Sequence, residues 1–100
     1  IKYLKISTFQ VSHFTFHILH TPGHTPGSCC YFFKEADVIF TGDTLFKQGI
    51  GRYDFSYSSK GDLKKSLKKL VELPNDTIVY PGHGEKTTIG NEKEYVLRFF

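Results

Sequence analysis

Val38-Ile-Phe-Thr-Gly-Asp-Thr-Leu-Phe46 is the stretch on which the reading of this chain turns. Its first four residues are apolar or β-branched and favour a strand buried on a sheet. Gly42-Asp43 then breaks the run, so a core strand ends by delivering a carboxylate to its rim. Working upstream, Lys34-Glu-Ala-Asp37 reads as a hairpin turn, and Cys29-Cys-Tyr-Phe-Phe33 as the partner strand. Residues 1–11 alternate at Tyr3, Ile6, Phe9 and Val11, and Phe14-Thr-Phe-His-Ile-Leu-His20 is again rich in strand formers. Between these strands lies Thr21-Pro-Gly-His-Thr-Pro-Gly-Ser28, with two Pro-Gly turns in eight residues.

Downstream, residues 47–61 look irregular, being rich in Gly, Ser and Tyr. A helix is expected over 62–73. Leu63, Leu67, Leu70 and Val71 share one face, Lys64, Lys65, Lys68 and Lys69 the other, with Asp62 as N-cap and Pro74 as stop. The lysines read as a solvated face, because the apolar stripe is complete without them. Thr77-Ile-Val-Tyr80 is expected to be the last strand, closed by Pro81-Gly-His-Gly84. A second helix is expected over 88–99, capped by Thr88 or Asn91, with Tyr95, Val96, Phe99 and Phe100 as its apolar side.

These elements make an α/β (α+β) chain with a mostly antiparallel sheet, read as a single domain over residues 1–100. At 39% hydrophobic and 16% aromatic residues, the sequence can build a core, which excludes a disordered or collagen-like chain. A formal charge of +3 is too small to argue for nucleic acid. No apolar run approaches the ~20 residues that cross a bilayer. Cys29 and Cys30 are adjacent and form no Cys-x-x-Cys motif, so they read as two small hydrophobes in a buried strand, and a cytoplasmic location is the expectation. The chain has no Met and opens on Ile1, which reads as a piece of a longer protein.

Three polar residues have similar addresses. His24 lies in the Pro-Gly loop, Asp43 follows Phe40 by three residues, and His83 follows Tyr80 by three. A ligand at a strand end is held rigidly by the core yet reaches solvent. Two imidazoles and a carboxylate suit Zn²⁺ or non-haem iron, and a glycine precedes each of the three, allowing tight turns and close backbone approach. Ser28 has no paired base in view, which argues against a serine nucleophile.

Taken with Gly51-Arg-Tyr-Asp-Phe55 and Thr87-Thr-Ile-Gly-Asn-Glu92, these motifs make the chain resemble the metallo-β-lactamase fold superfamily, and within it the glyoxalase II-like hydrolases, over about residues 18–95. The resemblance implies the C-terminal half of a four-layer αββα sandwich. It implies that His24 binds a first metal, His83 a second, and Asp43 bridges them and takes part in catalysis. It implies Zn²⁺ as cofactor, two per full-length chain, with Fe or Mn as alternatives, and a small-molecule thioester or related acyl substrate. Thr44, Arg52 and Asp54 would support the ligands from behind, Thr44 by hydrogen-bonding a ligand or water, Arg52 and Asp54 by pairing to brace the Asp43 loop.

One family motif is missing. The His-x-His-x-Asp-His stretch that supplies four ligands has no counterpart: His13, His17 and His20 carry no Asp between them and read as strand residues, with His20 also placed to support His24. The hundred residues alone are therefore expected to be inactive, and to dimerise or pair with an N-terminal half. Two other readings stand beside the hydrolase: an iron persulfide dioxygenase of the same fold, and a non-catalytic binding or structural module.

Overall fold

The computed structural model describes residues 6–11 and 14–99, with side chains described from residue 15. Tyr3, His13 and Phe100 lie outside the described residues. Four antiparallel strands come first: β1 (Ile6–Val11), β2 (Phe14–His20), β3 (Cys29–Phe33) and β4 (Val38–Gly42). The turn between β3 and β4 is one turn of 3₁₀ helix, Lys34–Ala36, closed by Asp37 in the left-handed region at φ 54°. After a two-stranded hairpin, β5 (Leu45–Phe46) and β6 (Gly49–Ile50), comes helix α1 (Lys60–Leu70). The chain then returns as β7 (Ile78–Pro81), turns into β8 (Thr87–Thr88), and ends in helix α2 (Ile89–Phe99).

The main sheet runs β1-β2-β3-β4-β7-β8. All neighbours are antiparallel except β4 and β7, which are parallel, with Val38 opposite Ile78 and Phe40 opposite Tyr80. A parallel pair cannot be joined by a hairpin; here the crossover carries the small hairpin and α1. Because the two strands point the same way, both end at one edge of the sheet, and that edge carries Asp43 and His83.

Alternation sorts the sheet into two faces. Cys30, Phe32, Ile39 and Val79 are buried under the helices, where they join Leu63, Leu67 and Leu70 of α1 and Ile89 and Val96 of α2 in one core. Fully burying each of these large side chains is worth about 1.5–3 kcal/mol. The opposite face is an aromatic ladder. Phe16 stacks on Phe33 with centroids 5.1 Å apart, Phe33 meets Phe40 edge-on at 5.7 Å, and Phe40 stacks on Tyr80 at 5.4 Å. The architecture is the expected mixed, mostly antiparallel sheet with two helices on one face.

Several local expectations are corrected. The α1 cap is Ser59, whose Oγ accepts the Asp62 N–H at 3.1 Å, not Asp62 itself. The helix ends at Leu70, but Val71 and Leu73 stay buried in the turn that follows. The region 47–61 is not wholly irregular, since β6 lies in it, and β7 is not the last strand. Cys30 is fully buried, whereas Cys29 is only half-buried. Thr88 caps α2, its Oγ1 accepting the Asn91 N–H at 3.1 Å. The buried face of α2 is Ile89, Glu92 and Val96; Tyr95 and Phe99 are exposed.

Candidate metal centre

Each of the three sequence-singled residues arrives from a different loop. His24 follows Gly23, which has φ +143° and packs so closely on α1 that an added Cβ would sit 2.4 Å from the Leu63 Cα. That contact fixes the His24 loop to the helix, reinforced by the Ser59 N–H donating to the Gly23 carbonyl at 2.8 Å and the Ser58 hydroxyl donating to the His24 carbonyl at 2.8 Å. His20 Nε2 lies 2.9 Å from the Pro26 carbonyl, bracing the same loop. His17 stands in β2 opposite Phe32, with ring centroids 6.4 Å apart.

Asp43 leaves β4 in a tight turn. The Thr44 N–H donates to the Thr41 carbonyl at 3.0 Å and the Thr41 hydroxyl to the Leu45 carbonyl at 2.7 Å. His83 leaves β7, and the Gly82 N–H donates to the Gly42 carbonyl at 2.7 Å, tying its loop to that of Asp43. The result is one carboxylate with an imidazole on each oxygen. Asp43 Oδ1 lies 2.9 Å from His83 Nε2, and Oδ2 lies 3.8 Å from His24 Nε2. His24 is the sheltered partner and His83 the open one, at 18% and 77% side-chain exposure.

The orientation of His24 can be followed further. Its Nδ1 lies 2.9 Å from the Arg52 carbonyl, which can only accept, so Nδ1 carries the proton. In the neutral ring the lone pair is then on Nε2, facing Asp43. At 3.8 Å the nitrogen and the carboxylate oxygen are too far apart for a hydrogen bond. Two ligand bonds of about 2.0–2.2 Å to a common cation span such a gap. On this side the residues fit a metal as they stand. On the His83 side a cation would take the place of the direct 2.9 Å contact between Nε2 and Asp43 Oδ1. Among the described residues no group of three or more His, Cys, Asp or Glu side chains is placed to hold one metal ion.

The structure places the three expected supporting residues around the loops of His24 and Asp43. Arg52 and Asp54 do pair, through two bonds of 3.0 and 2.9 Å, and the Arg52 guanidinium holds the Asp54 carboxyl below the usual carboxylate range. The pair is exposed, and what it braces is the turn under His24: Arg52 also lies 4.3 Å over the Phe55 ring, which meets the His24 ring edge-on at 6.0 Å. Thr44 is buried, its carbonyl accepting the Gly51 N–H at 2.9 Å and its side chain lying beside the Cys30 thiol. Beside it, burial pushes the Cys30 thiol up to about 12, against smaller opposing hydrogen bonds from Thr21 and Thr44.

Two contributors escaped the sequence reading. Gly51 is wedged between loops: a Cβ there would lie 2.1 Å from the Asp43 carbonyl oxygen and 3.2 Å from the His24 Cβ. Phe46 stacks on His83 with centroids 5.5 Å apart and planes 9° from parallel. Close packing of this kind leaves no periodic trace in a sequence. The position of Phe46, three residues beyond Asp43 and next to the polar Lys47-Gln48, was the available signal.

Comparisons with known proteins point to one family. Residues 4–83 match the family profile of the metallo-beta-lactamase superfamily. The hydroxyacylglutathione hydrolase GloC of Haemophilus influenzae is 51% identical over 81 residues, covering 80% of this chain and 38% of that protein. The crystal structure of ETHE1 from Myxococcus xanthus superposes with a TM-score of 0.84 at 37% identity, over 98% of this chain and 44% of that one. TTHA1623, solved in a di-iron-bound form, gives 0.76 at 45% identity, over 78% and 39% of the two chains. The chain spans about 40% of the length of the curated relatives it matches, 41% and 38% in two of them.

Proposed function

The chain belongs to the metallo-β-lactamase superfamily, and from that premise we propose that it supplies His24, Asp43 and His83 to the binuclear centre of a hydrolase acting on thioester or related acyl substrates. The observation that carries the proposal is the Asp43 carboxylate with an imidazole nitrogen at each oxygen, one of them aimed across a 3.8 Å gap by the Arg52 carbonyl. Each cation would draw one imidazole and one carboxylate oxygen from this chain, and the remaining ligands from the rest of the protein. When bound, divalent metals in such a centre acidify water to a pKa near 7 and polarise a carbonyl.

The chain's own part is orientation. Nδ1–H of His24 is committed to a carbonyl, which keeps its Nε2 available to a cation. Asp43, with an imidazole nitrogen beside each of its oxygens, would be the residue common to both positions. Zn²⁺ is the proposed metal; a structural neighbour bound two irons, so iron is the alternative. The substrate is a small acyl compound, the location cytoplasmic, and the aromatic face of the sheet the surface that meets the N-terminal half or a second copy. Neither nucleic acid nor membrane is a proposed partner, and no helix among the described residues is long and apolar enough to cross a membrane.

The test is metal content and thioester hydrolysis of the full-length protein beside Asp43→Ala and His24→Ala. We expect about two metals per chain, loss of metal and of activity in both variants, and sensitivity to chelator. Unchanged metal content in Asp43→Ala would sink the reading. A second reading has one observation in its favour: the Gly51–Phe55 stretch, which resembles that of iron persulfide dioxygenases, packs directly on His24. One iron per chain, with oxygen uptake on a persulfide, would select it.

A further inference from the structure

His24 and His83 are held in different ways. The His24 ring is fixed by a hydrogen bond from Nδ1 to a backbone carbonyl and is largely sheltered. His83 is 77% exposed, and its recorded contacts are the carboxylate of Asp43 and the face of Phe46. An imidazole on an exposed loop loses rotamer freedom when it binds a cation, and that cost falls if a neighbour already holds the ring.

Phe46 is itself well anchored. Three consecutive residues of the β5–β6 hairpin each grip a different point of the C-terminal segment. Phe46 stacks on His83, the Lys47 ammonium meets Glu85 at 2.7 Å, and the Gln48 N–H donates to Glu92 Oε1 at 2.8 Å. The Lys47–Glu85 pair is exposed on both sides and contributes little. Glu92 is different. It is 2% exposed, and its other oxygen accepts the Thr87 hydroxyl at 2.6 Å, so both carboxylate oxygens are bonded inside the core. Gln48, at φ 58°, sits in the left-handed region that a side-chain-bearing residue rarely adopts, and the bond from its N–H to Glu92 is what the tertiary structure offers in return.

We propose that Phe46, anchored through the β5–β6 turn by the buried carboxylate of Glu92, is the positioning residue for His83, doing by ring stacking what the Arg52 carbonyl does for His24. This rests on the reading of His83 as a metal ligand. It assigns a role to a carboxylate whose two oxygens are held by Gln48 and Thr87, and places the control of one metal position in α2.

The test uses the full-length protein, stripped of metal and titrated with Zn²⁺, with both histidine rings followed by NMR so that uptake at each is read separately. Phe46→Leu keeps an apolar side chain without the aromatic plane. It is expected to weaken uptake at His83 about tenfold, in line with other partners that orient metal ligands, while uptake at His24 stays within twofold. Phe46→Tyr, which keeps the plane, is expected to restore it. Glu92→Gln retains one acceptor and is expected to fall between, again at His83 only. In the metal-free protein the ring-current shift at His83 should vanish in Phe46→Leu and return in Phe46→Tyr. Equal weakening at both histidines, or a Phe46→Leu protein that binds like wild type, overturns the proposal while leaving the metal reading intact. An Asp43→Asn control that takes up metal like wild type overturns the reading itself, and this proposal with it.

Discussion

Gly51→Ala and Gly61→Ala add the same methyl group at two glycines that precede charged residues, and the structure gives them opposite signs. At Gly51 the new Cβ would lie 2.1 Å from the Asp43 carbonyl oxygen, with the Asp43 carbonyl carbon and the His24 Cβ both at 3.2 Å. Real contacts to Cβ stay beyond 3.0 Å, so the carbonyl or Gly51 must retreat by about 1 Å, and both are backbone. Overpacking of a tight site costs about 1–3 kcal/mol, and with backbone on both sides the upper end applies. At about 4–8 °C per kcal/mol for a domain of this size, the midpoint should fall by roughly 10–20 °C. At Gly61, the second residue of α1, a Cβ meets nothing within 4 Å. Replacing a helical glycine there should stabilise by about 0.4–1 kcal/mol, mostly by restricting the unfolded chain. Thermal and urea unfolding followed by circular dichroism measure both. Gly51→Ala should also take up less metal than its lost stability explains, because the displaced atoms belong to the loops of Asp43 and His24. If Gly51→Ala is destabilised by less than about 0.5 kcal/mol, the magnitude at which surface substitutions scatter, the close packing of the two loops is wrong.

Three further outcomes follow from single contacts. Ser59→Ala removes the α1 cap and should cost about 1 kcal/mol in the same unfolding assay, whereas Asp62→Asn, which leaves that cap in place, should cost clearly less. Cys29, half-buried, should react with a thiol reagent at pH 8 in the folded protein, while Cys30 should react only after denaturation. Because the Cys30 pKa is raised from its ordinary value of 9.0 to about 12, its contribution to stability is complete below pH 9 and is lost as pH climbs toward 12. The slope there should approach about 1.4 kcal/mol per pH unit, and Cys30→Ala, compared at pH 8 and pH 10.5, should lack it.

What could be read from the sequence was what leaves a regular trace. The period-two strands, the Leu63–Leu67–Leu70 stripe and the breaks before His24, Asp43 and His83 each follow from backbone geometry over a few residues. The features missed either leave no regular local signal or depend on residues distant in sequence. Asp62 was read as the cap, yet the helix starts two residues before it and Ser59 does the capping. The β5–β6 hairpin has two-residue strands and turns through Gln48 at positive φ, with none of the Asn-Gly or Asp-Gly signals of such turns. Glu92 interrupts an apolar stripe, and nothing local says that its carboxylate is matched by Gln48 and Thr87. Arg52 was singled out for its charge, but it is the backbone carbonyl that reaches His24. A main-chain contact of this kind carries no residue preference at all.

The parallel pairing of β4 with β7 also bears on the order of assembly. β1 through β4 form a meander of neighbours joined by short connections, while β7 reaches β4 only after the crossover has closed. Closing that longer loop carries the larger entropic cost, and contacts of high sequence separation form slowly. Asp43 and His83 meet across this late-closing seam. Stabilisation of contacts absent from the folding transition state acts on the unfolding rate. Whatever fastens these two residues together should therefore leave the rate of folding nearly unchanged and lengthen the lifetime of the folded chain, so that the centre works as a latch on a structure already assembled.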